Sequence, residues 1–364
     1  MEKIVIASNN KGKIKEIKEI FTDYELLSLK EANVDIEVDE DQPTFEKNSQ
    51  KKAKEIAEYV KLNCLSDDSG ICIDILDGWP GVYTARFLGE DATQAERNNH
   101  ILEKMKDYKG DDRNAKVVCC ISYYDYEAKE VISCEGVING KIALEKRGEN
   151  GFGFDEIFEL PNGKTLAELS VEEKNNVSAR KIALNMMNNE ILKKKLLNKA
   201  LEYARKQHEG QTRDEGVPYF THIEGVVEIL EKELNVTDAE TLVVAALHDT
   251  LEDTDTTFED LESMFGIKIA TCTELLNKNG CSSKEEYFTR IFENKEYDLV
   301  AKVKLADRIH NMRCLIKTNK IEKITRKIKE TEEYIFKYET EENSEYMNKI
   351  KEAITNLKNH FNLD

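Results

Sequence analysis

The chain has 364 residues, of which 40% are hydrophobic and 34% charged, and its formal net charge is −19 at pH 7. This length predicts two or three domains. Since no apolar run reaches about 18 residues, no membrane-spanning helix is expected. A surface this acidic repels nucleic acid unless a local basic patch overrides the repulsion, whereas small phosphorylated substrates stay compatible with it, since a metal ion and a few basic side chains set the field inside a pocket. The first residues lack a long signal-peptide core, and we therefore expect a cytoplasmic location.

The first half of the chain alternates strand and helix patterns. Residues 3–8 are typical of a buried strand, residues 9–12 of a polar turn, and helical spacing starts at Lys13. Further predicted elements are a helix over 44–62, a short strand over 71–76, paired strands over 116–124 and 130–137, and a helical segment over 169–189. This alternation predicts an α/β fold for the first half.

The second half has helical period almost throughout, interrupted by Pro218 in a loop. Its candidate helices are 200–207, 223–234, 240–248, 258–265, 284–292, 299–313 and 321–361. We predict an α/β domain over 1–192 followed by an all-α domain over 193–364. The boundary, near residues 189–195, has a helical pattern, so we expect a helix there and not a flexible tether.

A candidate triphosphate loop, Ser8-Asn9-Asn10-Lys11-Gly12-Lys13, lies at the predicted junction of the first strand and helix. Backbone N–H groups at a helix N-terminus point at an anion, and Lys13 adds a positive charge. The signal is weak by itself, because many turns between a strand and a helix contain Asn, Gly and Lys.

Two adjacent carboxylates, Asp67 and Asp68, are predicted in a loop before an apolar strand. They would repel each other there unless a cation is bound, as triphosphate cleavage requires. An Asx turn or a helix cap is the alternative interpretation. The acidic segment Asp39-Glu40-Asp41 could reach the same ion, or it is a solvated acidic loop.

Motifs in the first half occur in the same order as in one enzyme family. They are residues 7–13, 44–48, 67–70, 80–87, 89–92, 151–155, 172–174 and 178–180. By these motifs residues 1–191 resemble the inosine triphosphate pyrophosphatase family, also called the Ham1 or non-canonical purine nucleoside triphosphate pyrophosphatase family. The resemblance implies a mixed sheet with flanking helices and a homodimer formed through this half. It also implies cleavage of ITP, dITP or XTP to the monophosphate and pyrophosphate.

The same resemblance implies residue roles. The loop from Ser8 to Lys13 would bind the triphosphate. Asp68 would act as the base that activates water, and Mg²⁺ would be held by Asp68 and by Glu40 or its neighbour Asp39. The remaining residues implied to contact substrate are Ser69, Phe152, Gly153, Phe154, Asp155, Lys174, Ala179 and Arg180.

One position departs from that family's pattern. Ala179 stands where the family usually has His, and an alanine side chain cannot donate a hydrogen bond to a 6-keto oxygen. Selection of inosine and xanthine over adenine is therefore expected to be weaker, or to depend on other groups.

Four candidate metal ligands, His222, His248, Asp249 and Asp307, are spread over three predicted helices of the second half. A single His on a helix is more often a packed or surface residue. However, His248-Asp249 ends an apolar helix, which places two ligands at a buried rim. Two imidazoles and two carboxylates suit Mn²⁺, Fe²⁺ or Zn²⁺. Glu252 and Asp253, one turn onward, could orient or deprotonate a water.

Motifs in the second half match another enzyme class. They are residues 204–213, 218–222, 245–254, 265–266 and 304–313. Residues 195–320 thereby resemble the HD-domain hydrolase of the Rel/Spo-type alarmone enzymes, without the synthetase half. The resemblance implies an all-α HD fold that removes the 3′-pyrophosphate of guanosine tetra- or pentaphosphate with Mn²⁺.

In that reaction His222, His248, Asp249 and Asp307 would hold the metal, and Glu252 and Asp253 would be catalytic. Arg213 would stack on guanine, and Asn311 would bind the ribose or a phosphate. Asp214 and Cys314 depart from the residues usual in the family, Lys and Thr, and could loosen substrate contacts. Two alternatives stay open: this half could hydrolyse another nucleotide, because HD domains are catalytically broad, or it could be a nucleotide-sensing regulatory module.

Overall fold

The computed structural model describes residues 1–89, 91–151, 153–175 and 177–363. Contacts between residues divide the chain into two compact units, Met1–Ile191 and Leu192–Asp364. Among the described residues, none of the helices is both long enough and apolar enough to cross a bilayer.

The first unit is a mixed β-sheet with helices. Its strands are β1 (Lys3–Ile6), β2 (Glu25–Ser28), β3 (Asn63–Ile73), β4 (Trp79–Pro80), β5 (Asn114–Asp125), β6 (Glu130–Ile142) and β7 (Phe158–Glu159). Its helices are α1 (Lys11–Ile20), α2 (Phe45–Val60), α3 (Gln94–Lys104), α4 (Val171–Asn175) and α5 (Ala179–Gln207), the last of which contains the division between the units.

The strand order is β2-β1-β3-β5-β6-β7, with β4 paired to β3. Strand β1 runs parallel to β2 and β3, whereas β5, β6 and β7 continue the sheet in antiparallel pairs. The predicted fold class, a mixed sheet with flanking helices, is confirmed.

Successive side chains of a strand point to opposite faces of the sheet, and this alternation separates two cores. In β1, Ile4 and Ile6 pack in a cluster with residues of α1 and α5. Val5 packs instead in a cluster with Ala53 and Ile56 of α2. The central strand β3 is almost entirely buried because helices cover both of its faces.

Several element boundaries differ from the prediction. Helix α1 begins at Lys11 and not at Lys13, because the Asn10 side chain caps it. The strand predicted over 71–76 is correct only for residues 71–73, which are the end of β3; β3 begins eight residues earlier, at Asn63, and residues 74–76 form a 3₁₀ turn. The polar segment 66–70 has weak strand propensity, and it is extended because β5 pairs with it along its length.

The second unit is helical, as predicted for an HD domain. After α5 it contains α6 (Phe220–Glu228), α7 (Ala239–Leu247), α8 (Thr250–Asp253), α9 (Phe258–Phe265), α10 (Ile267–Leu276), α11 (Lys284–Phe292), α12 (Leu299–Leu315), α13 (Ile321–Tyr334) and α14 (Ser344–Phe361). Residues 241–247 of α7 are all buried, and α12 packs against α6, α7 and α14. The single helix expected over 321–361 is two helices, because residues 340–343 form a turn held by Asn343.

Candidate functional sites

The predicted triphosphate loop joins β1 to α1. The Asn10 side chain accepts hydrogen bonds from the backbone N–H groups of Gly12 (2.9 Å) and Lys13 (3.2 Å), and the backbone N–H of Asn10 donates to Ser8 Oγ at 3.1 Å. Asn9, Asn10, Lys11 and Gly12 are exposed. Because Asn10 already caps two helix amides, an anion could reach them only if this side chain turned away.

Asp67 and Asp68 lie in the middle of β3, so their prediction in a loop is wrong, as is the alternative of an Asx turn or cap. Strand alternation points Asp67 toward α1 and α5 and Asp68 toward α2. The mutual repulsion expected of adjacent carboxylates is thereby reduced without a shared cation. Each carboxylate has its own surroundings.

Asp67 is neutralised by cations of its own. Its Oδ2 lies 2.8 Å from Lys13 Nζ and 3.3 Å from Arg180 Nε, and the residue is 2% exposed. Burial alone would raise the pKa of Asp67, but Lys13, Arg180 and Lys52 together hold it well below its usual value. This carboxylate is therefore a fixed anion that anchors two basic side chains.

Asp68 is the carboxylate suited to accept a proton. It accepts hydrogen bonds from Asn48 Nδ2 (2.8 Å) and from the Ser69 backbone N–H (2.9 Å). Burial raises the pKa of Asp68 to about 6, and the charge of Glu40 adds to this rise, while the hydrogen bond from Asn48 opposes it. A group with a pKa near the working pH is an efficient general base.

Two basic side chains, Lys52 and Arg86, hold Glu40 beside Asp68, and neither was predicted as a site residue. Lys52 Nζ donates to Glu40 Oε1 and, at 3.1 Å, to the Asp67 carbonyl oxygen. Arg86 donates to the Glu40 carbonyl oxygen at 2.5 Å. Lys52 lies four residues after Asn48 on α2, so the two side chains share one face of the helix. This spacing could have predicted that Lys52 reaches the same site as Asn48. Asp39 is exposed, and its carbonyl oxygen accepts from Lys51.

A cleft of about 180 Å³ lies on the Asp67 face of the sheet. The predicted substrate contacts that line it are Lys13, Ser69, Gly153, Phe154, Asp155, Lys174, Ala179 and Arg180. Arg180 donates to Glu16 (3.0 Å) and Ser69 Oγ (3.3 Å), and Lys174 donates to Asp155. Phe152 was also predicted to border the base, and it lies outside the described residues.

The start of α5 packs closely against the sheet at this cleft. Ala179 is buried, and a Cβ atom at Gly136 of β6 would lie 2.0 Å from the Ala179 carbonyl oxygen. The backbone of residue 179 is therefore fixed, and only a larger side chain would extend its contacts in the cleft.

The four predicted metal ligands of the second unit lie together. His222 is on α6, His248 and Asp249 lie between α7 and α8, and Asp307 is on α12. His222 Nε2 is 3.5 Å from Asp249 Oδ2 and 3.3 Å from Asp307 Oδ1. His248 Nε2 is 3.0 Å from the same atom of Asp249 and 3.9 Å from that of Asp307.

The protonation of His248 fits a metal ligand. Its Nδ1 donates to the Ala245 carbonyl oxygen at 2.8 Å, which leaves the lone pair on Nε2. Nε2 is buried without a hydrogen-bond partner, because the 3.0 Å approach of Asp249 does not have hydrogen-bond geometry. Burial disfavours a charged imidazole, yet Asp249 and Asp307 raise the pKa of His248 to about 9, so in the absence of a metal a proton occupies Nε2 and a cation would replace it there. The cluster thus attracts positive charge, and its nitrogen and oxygen donors suit a divalent cation.

A tyrosine connects the metal cluster to one of the predicted catalytic acids. Tyr219 Oη donates to Asp249 Oδ2 at 2.7 Å and approaches Asp253 Oδ2 at 3.1 Å, and the ring of His208 stacks on it. Burial and the charge of Asp249 raise the pKa of Asp253. Glu252 accepts from the backbone and side chain of Lys278. Tyr219 and His208 lie within the motifs of the second half, but no role was predicted for either residue.

Arg213 and Asn311 are brought together beside the cluster. Arg213 donates to Asn311 Oδ1 at 3.0 Å, and Asn311 Nδ2 donates to Asp307 Oδ1. Arg213 Nε is also 3.4 Å from Glu215 Oε2. Of the two departures from the family pattern, Asp214 pairs with Lys320 and Lys323, and Cys314 Sγ lies 3.7 Å from the ring nitrogens of His310.

The residues predicted for the second site, except His248, border one cavity of about 1020 Å³, which also has a basic part. There Lys284, Arg308 and Lys327 surround a single carboxylate, Glu330. Arg308 is 3% exposed, and its Nε and Nη1 are buried without hydrogen-bond partners. Burial and the charge of Arg308 lower the pKa of Lys327. Because three basic side chains share one carboxylate, this part of the cavity wall has a net positive charge and unused hydrogen-bond donors.

Comparison with known proteins gives two family matches. The Ham1 family profile matches residues 4–190, and an HD domain profile matches residues 200–287. A dITP/XTP pyrophosphatase of Clostridium perfringens is 42% identical over 196 residues, which cover 51% of this chain and 96% of that protein. The Staphylococcus aureus Ham1 protein structure aligns with 53% of this chain and 100% of its own, at 38% identity and a TM-score of 0.50.

The second unit also has a structural neighbour. A metazoan SpoT ortholog that hydrolyzes ppGpp aligns with 44% of this chain and 94% of its own, at 27% identity and a TM-score of 0.39. At this TM-score the likeness says nothing about activity, and the function of the second unit is therefore inferred from its own side chains.

Proposed function

The chain belongs to the Ham1 family, whose profile covers residues 4–190, and we propose that its first unit cleaves non-canonical purine nucleoside triphosphates to the monophosphate and pyrophosphate. dITP and XTP are the proposed substrates, because the Clostridium perfringens relative is named for that activity. The observation that carries the proposal is Asp68, a buried carboxylate with a pKa near 6, next to Glu40 and Lys52.

In this proposal the two faces of β3 divide the work. Asp68 accepts the proton of the attacking water near Lys52 and Arg86, which offset phosphate charge there, while Lys13, Lys174 and Arg180 on the cleft side hold the rest of the nucleotide. Glu40 and Asp68 are the oxygen donors that would hold Mg²⁺, which supplies neutralisation of the triphosphate when bound. Phe154 and Ala179 present apolar contact area to the base.

The test of the first proposal is a substrate panel with the full chain and Mg²⁺. Release of pyrophosphate from dITP and XTP, with the nucleoside monophosphate as co-product, is the expected result. Release of inorganic phosphate would instead indicate cleavage at the terminal phosphate. No turnover of any purine triphosphate would refute the proposal.

For the second unit we propose a metal-dependent phosphohydrolase that removes the 3′-pyrophosphate of guanosine tetra- or pentaphosphate. Its support is one cavity that is bordered both by His222, Asp249 and Asp307, which cluster with the buried His248, and by a basic region with unpartnered donors on Arg308. A nucleotide with phosphate groups at two separate positions would place one at the cluster and the other against the cations.

In this proposal some residues of the second unit hold the metal ion and others activate the attacking water. The four cluster residues would hold Mn²⁺, which polarises a phosphate oxygen when bound. Asp253, linked through Tyr219 to Asp249, is the proposed proton acceptor, with Glu252 beside it. Arg213 and Asn311, which are hydrogen-bonded to each other, would contact the base and the ribose, respectively.

The test separates this function from the two alternatives. The full chain with Mn²⁺ should convert guanosine tetraphosphate to GDP and pyrophosphate, and a chelator should abolish the reaction. Release of phosphate from a nucleotide that lacks a 3′ group would support a different nucleotide hydrolase. Nucleotide binding without turnover under any divalent metal would support the sensing module.

A further inference from the structure

We propose that His310 is a positioning residue that fixes the tautomer of His222 and directs its Nε2 toward the bound cation. This inference rests on the metal hydrolase function proposed for the second unit. His222 is 1% exposed, and its Nδ1 lies 2.8 Å from His310 Nδ1. Its Nε2 faces Asp249 and Asp307.

The contact between the two rings determines which nitrogen carries the proton. Two imidazole nitrogens at 2.8 Å form a hydrogen bond only if one donates and the other accepts. If His222 Nδ1 donates, His222 Nε2 has a free lone pair and can bind a cation. If His310 Nδ1 donated instead, the N–H of a neutral His222 would be on Nε2 and would block the cluster. Cation binding therefore requires His310 as the acceptor.

The packing places the His310 ring where only glycine leaves room for it. Gly225 lies on α6, three residues after His222, and a Cβ atom there would be 2.2 Å from His310 Nε2 and 2.3 Å from its Cδ2. Such distances are far inside van der Waals contact. Gly225 therefore permits the His310 side chain of α12 to approach α6 and reach the inner nitrogen of His222.

The two histidine ligands differ in what holds them. His248 donates its Nδ1–H to a backbone carbonyl oxygen, that of Ala245, which no side-chain substitution removes. His222 depends on a side chain, and so its orientation can be tested without changing a ligand. Partners of this kind typically change metal affinity about 10–100-fold when they are removed.

The experiment measures Mn²⁺ affinity of the metal-free full chain from the electron paramagnetic resonance signal of unbound Mn²⁺, with Glu40→Gln and Asp68→Asn present throughout so that the proposed first-unit site does not contribute. His310→Leu removes the acceptor and should weaken binding at least tenfold. His310→Asn puts an amide oxygen close to the place of Nδ1 and should restore affinity to within a few-fold of wild type. Gly225→Ala should resemble His310→Leu, because it displaces the ring.

The matched control is Cys314→Ala, which changes a neighbour of the same ring without touching His222. It should leave Mn²⁺ affinity unchanged. Circular dichroism of each metal-free variant checks that the second unit remains helical. Wild-type affinity in His310→Leu would overturn the inference and leave the proposed hydrolase standing. Equal weakening in His310→Asn and His310→Leu, with both folded, would also overturn it, because packing alone would then be the role of the ring. If the wild-type chain bound no divalent metal, the proposed function would fail first.

Discussion

Exchange of each central carboxylate of β3 for its amide should give opposite phenotypes, although the two residues are adjacent. Asp67→Asn should destabilise the first unit, whereas Asp68→Asn should leave its stability nearly unchanged and abolish triphosphate cleavage. The reason is that Asp67 anchors Lys13 and Arg180, while Asp68 has no cation within ion-pair distance among the described residues.

The magnitude for Asp67 comes from its burial. Removing one partner of a buried ion pair typically costs about 3–5 kcal/mol, because the remaining charges stay desolvated and uncompensated. Asp67 is 2% exposed, but Arg180 would keep its contact with Glu16 at 3.0 Å, so the lower end of the range, about 3 kcal/mol, applies. For a unit of this size, that loss corresponds to a fall in melting temperature of roughly 6–12 °C, at about 2–4 °C per kcal/mol.

The magnitude for Asp68 has two opposing parts. The pKa of Asp68 is higher in the folded protein than in the unfolded chain, so its ionised carboxylate lowers the free energy of unfolding. The loss is complete at pH values above the raised pKa. A pKa of about 6 in place of 3.8 amounts to about 3 kcal/mol at pH 7 that Asn would relieve. Against this, the Asn48 amide would meet a second amide, and an unsatisfied buried group costs about 1–3 kcal/mol. The two nearly cancel.

The assay is urea unfolding followed by tryptophan fluorescence. Trp79 is the single tryptophan of the sequence and lies in the first unit, so the signal reports on that unit alone. Pyrophosphate release from dITP measures activity in the same samples. Equal unfolding midpoints for the two variants would refute the division of roles between the faces of β3. So would an Asp68→Asn protein that retains wild-type turnover.

Three further predictions concern the two proposed sites. His248→Ala should abolish hydrolysis of guanosine tetraphosphate but spare dITP cleavage. It should also abolish the stabilisation by Mn²⁺, which is about 2.7 kcal/mol at a hundredfold excess over Kd and is measured as a rise in melting temperature. A wild-type protein indifferent to Mn²⁺, Fe²⁺ and Zn²⁺ would contradict the metal site. Ala179→His should increase the preference for dITP over dATP about ten- to a hundredfold, as a buried polar contact of about 1–3 kcal/mol allows; unchanged ratios of kcat/KM would disprove this. Tyr219→Phe, which removes the hydroxyl between Asp249 and Asp253, should lower kcat for guanosine tetraphosphate more than Mn²⁺ affinity, and the reverse order would show that Tyr219 acts on the metal ligand alone.

The sequence by itself determined the class of each half and most members of the second site. Helical period is a local property, and it predicted helices over 240–248 and 299–313, which correspond to α7 and α12. His248-Asp249 was thereby predicted at the buried end of an apolar helix, with His222 and Asp307 on two other helices. In the structure these side chains lie together, with imidazole nitrogens 3.0–3.9 Å from carboxylate oxygens.

Only the tertiary structure decided which face each carboxylate of the first site occupies. Residues 66–70 are extended because β5 pairs beside them, and no local preference of Ser, Asp or Gly predicts that. The same pairing sends Asp67 to Lys13 and Arg180 and sends Asp68 to Asn48 and Glu40. Likewise, the contact of His310 with His222 depends on space left by Gly225 on another helix. Such contacts join residues about 20 to 113 positions apart, and close packing across elements, unlike periodicity, leaves no repeating pattern in the sequence.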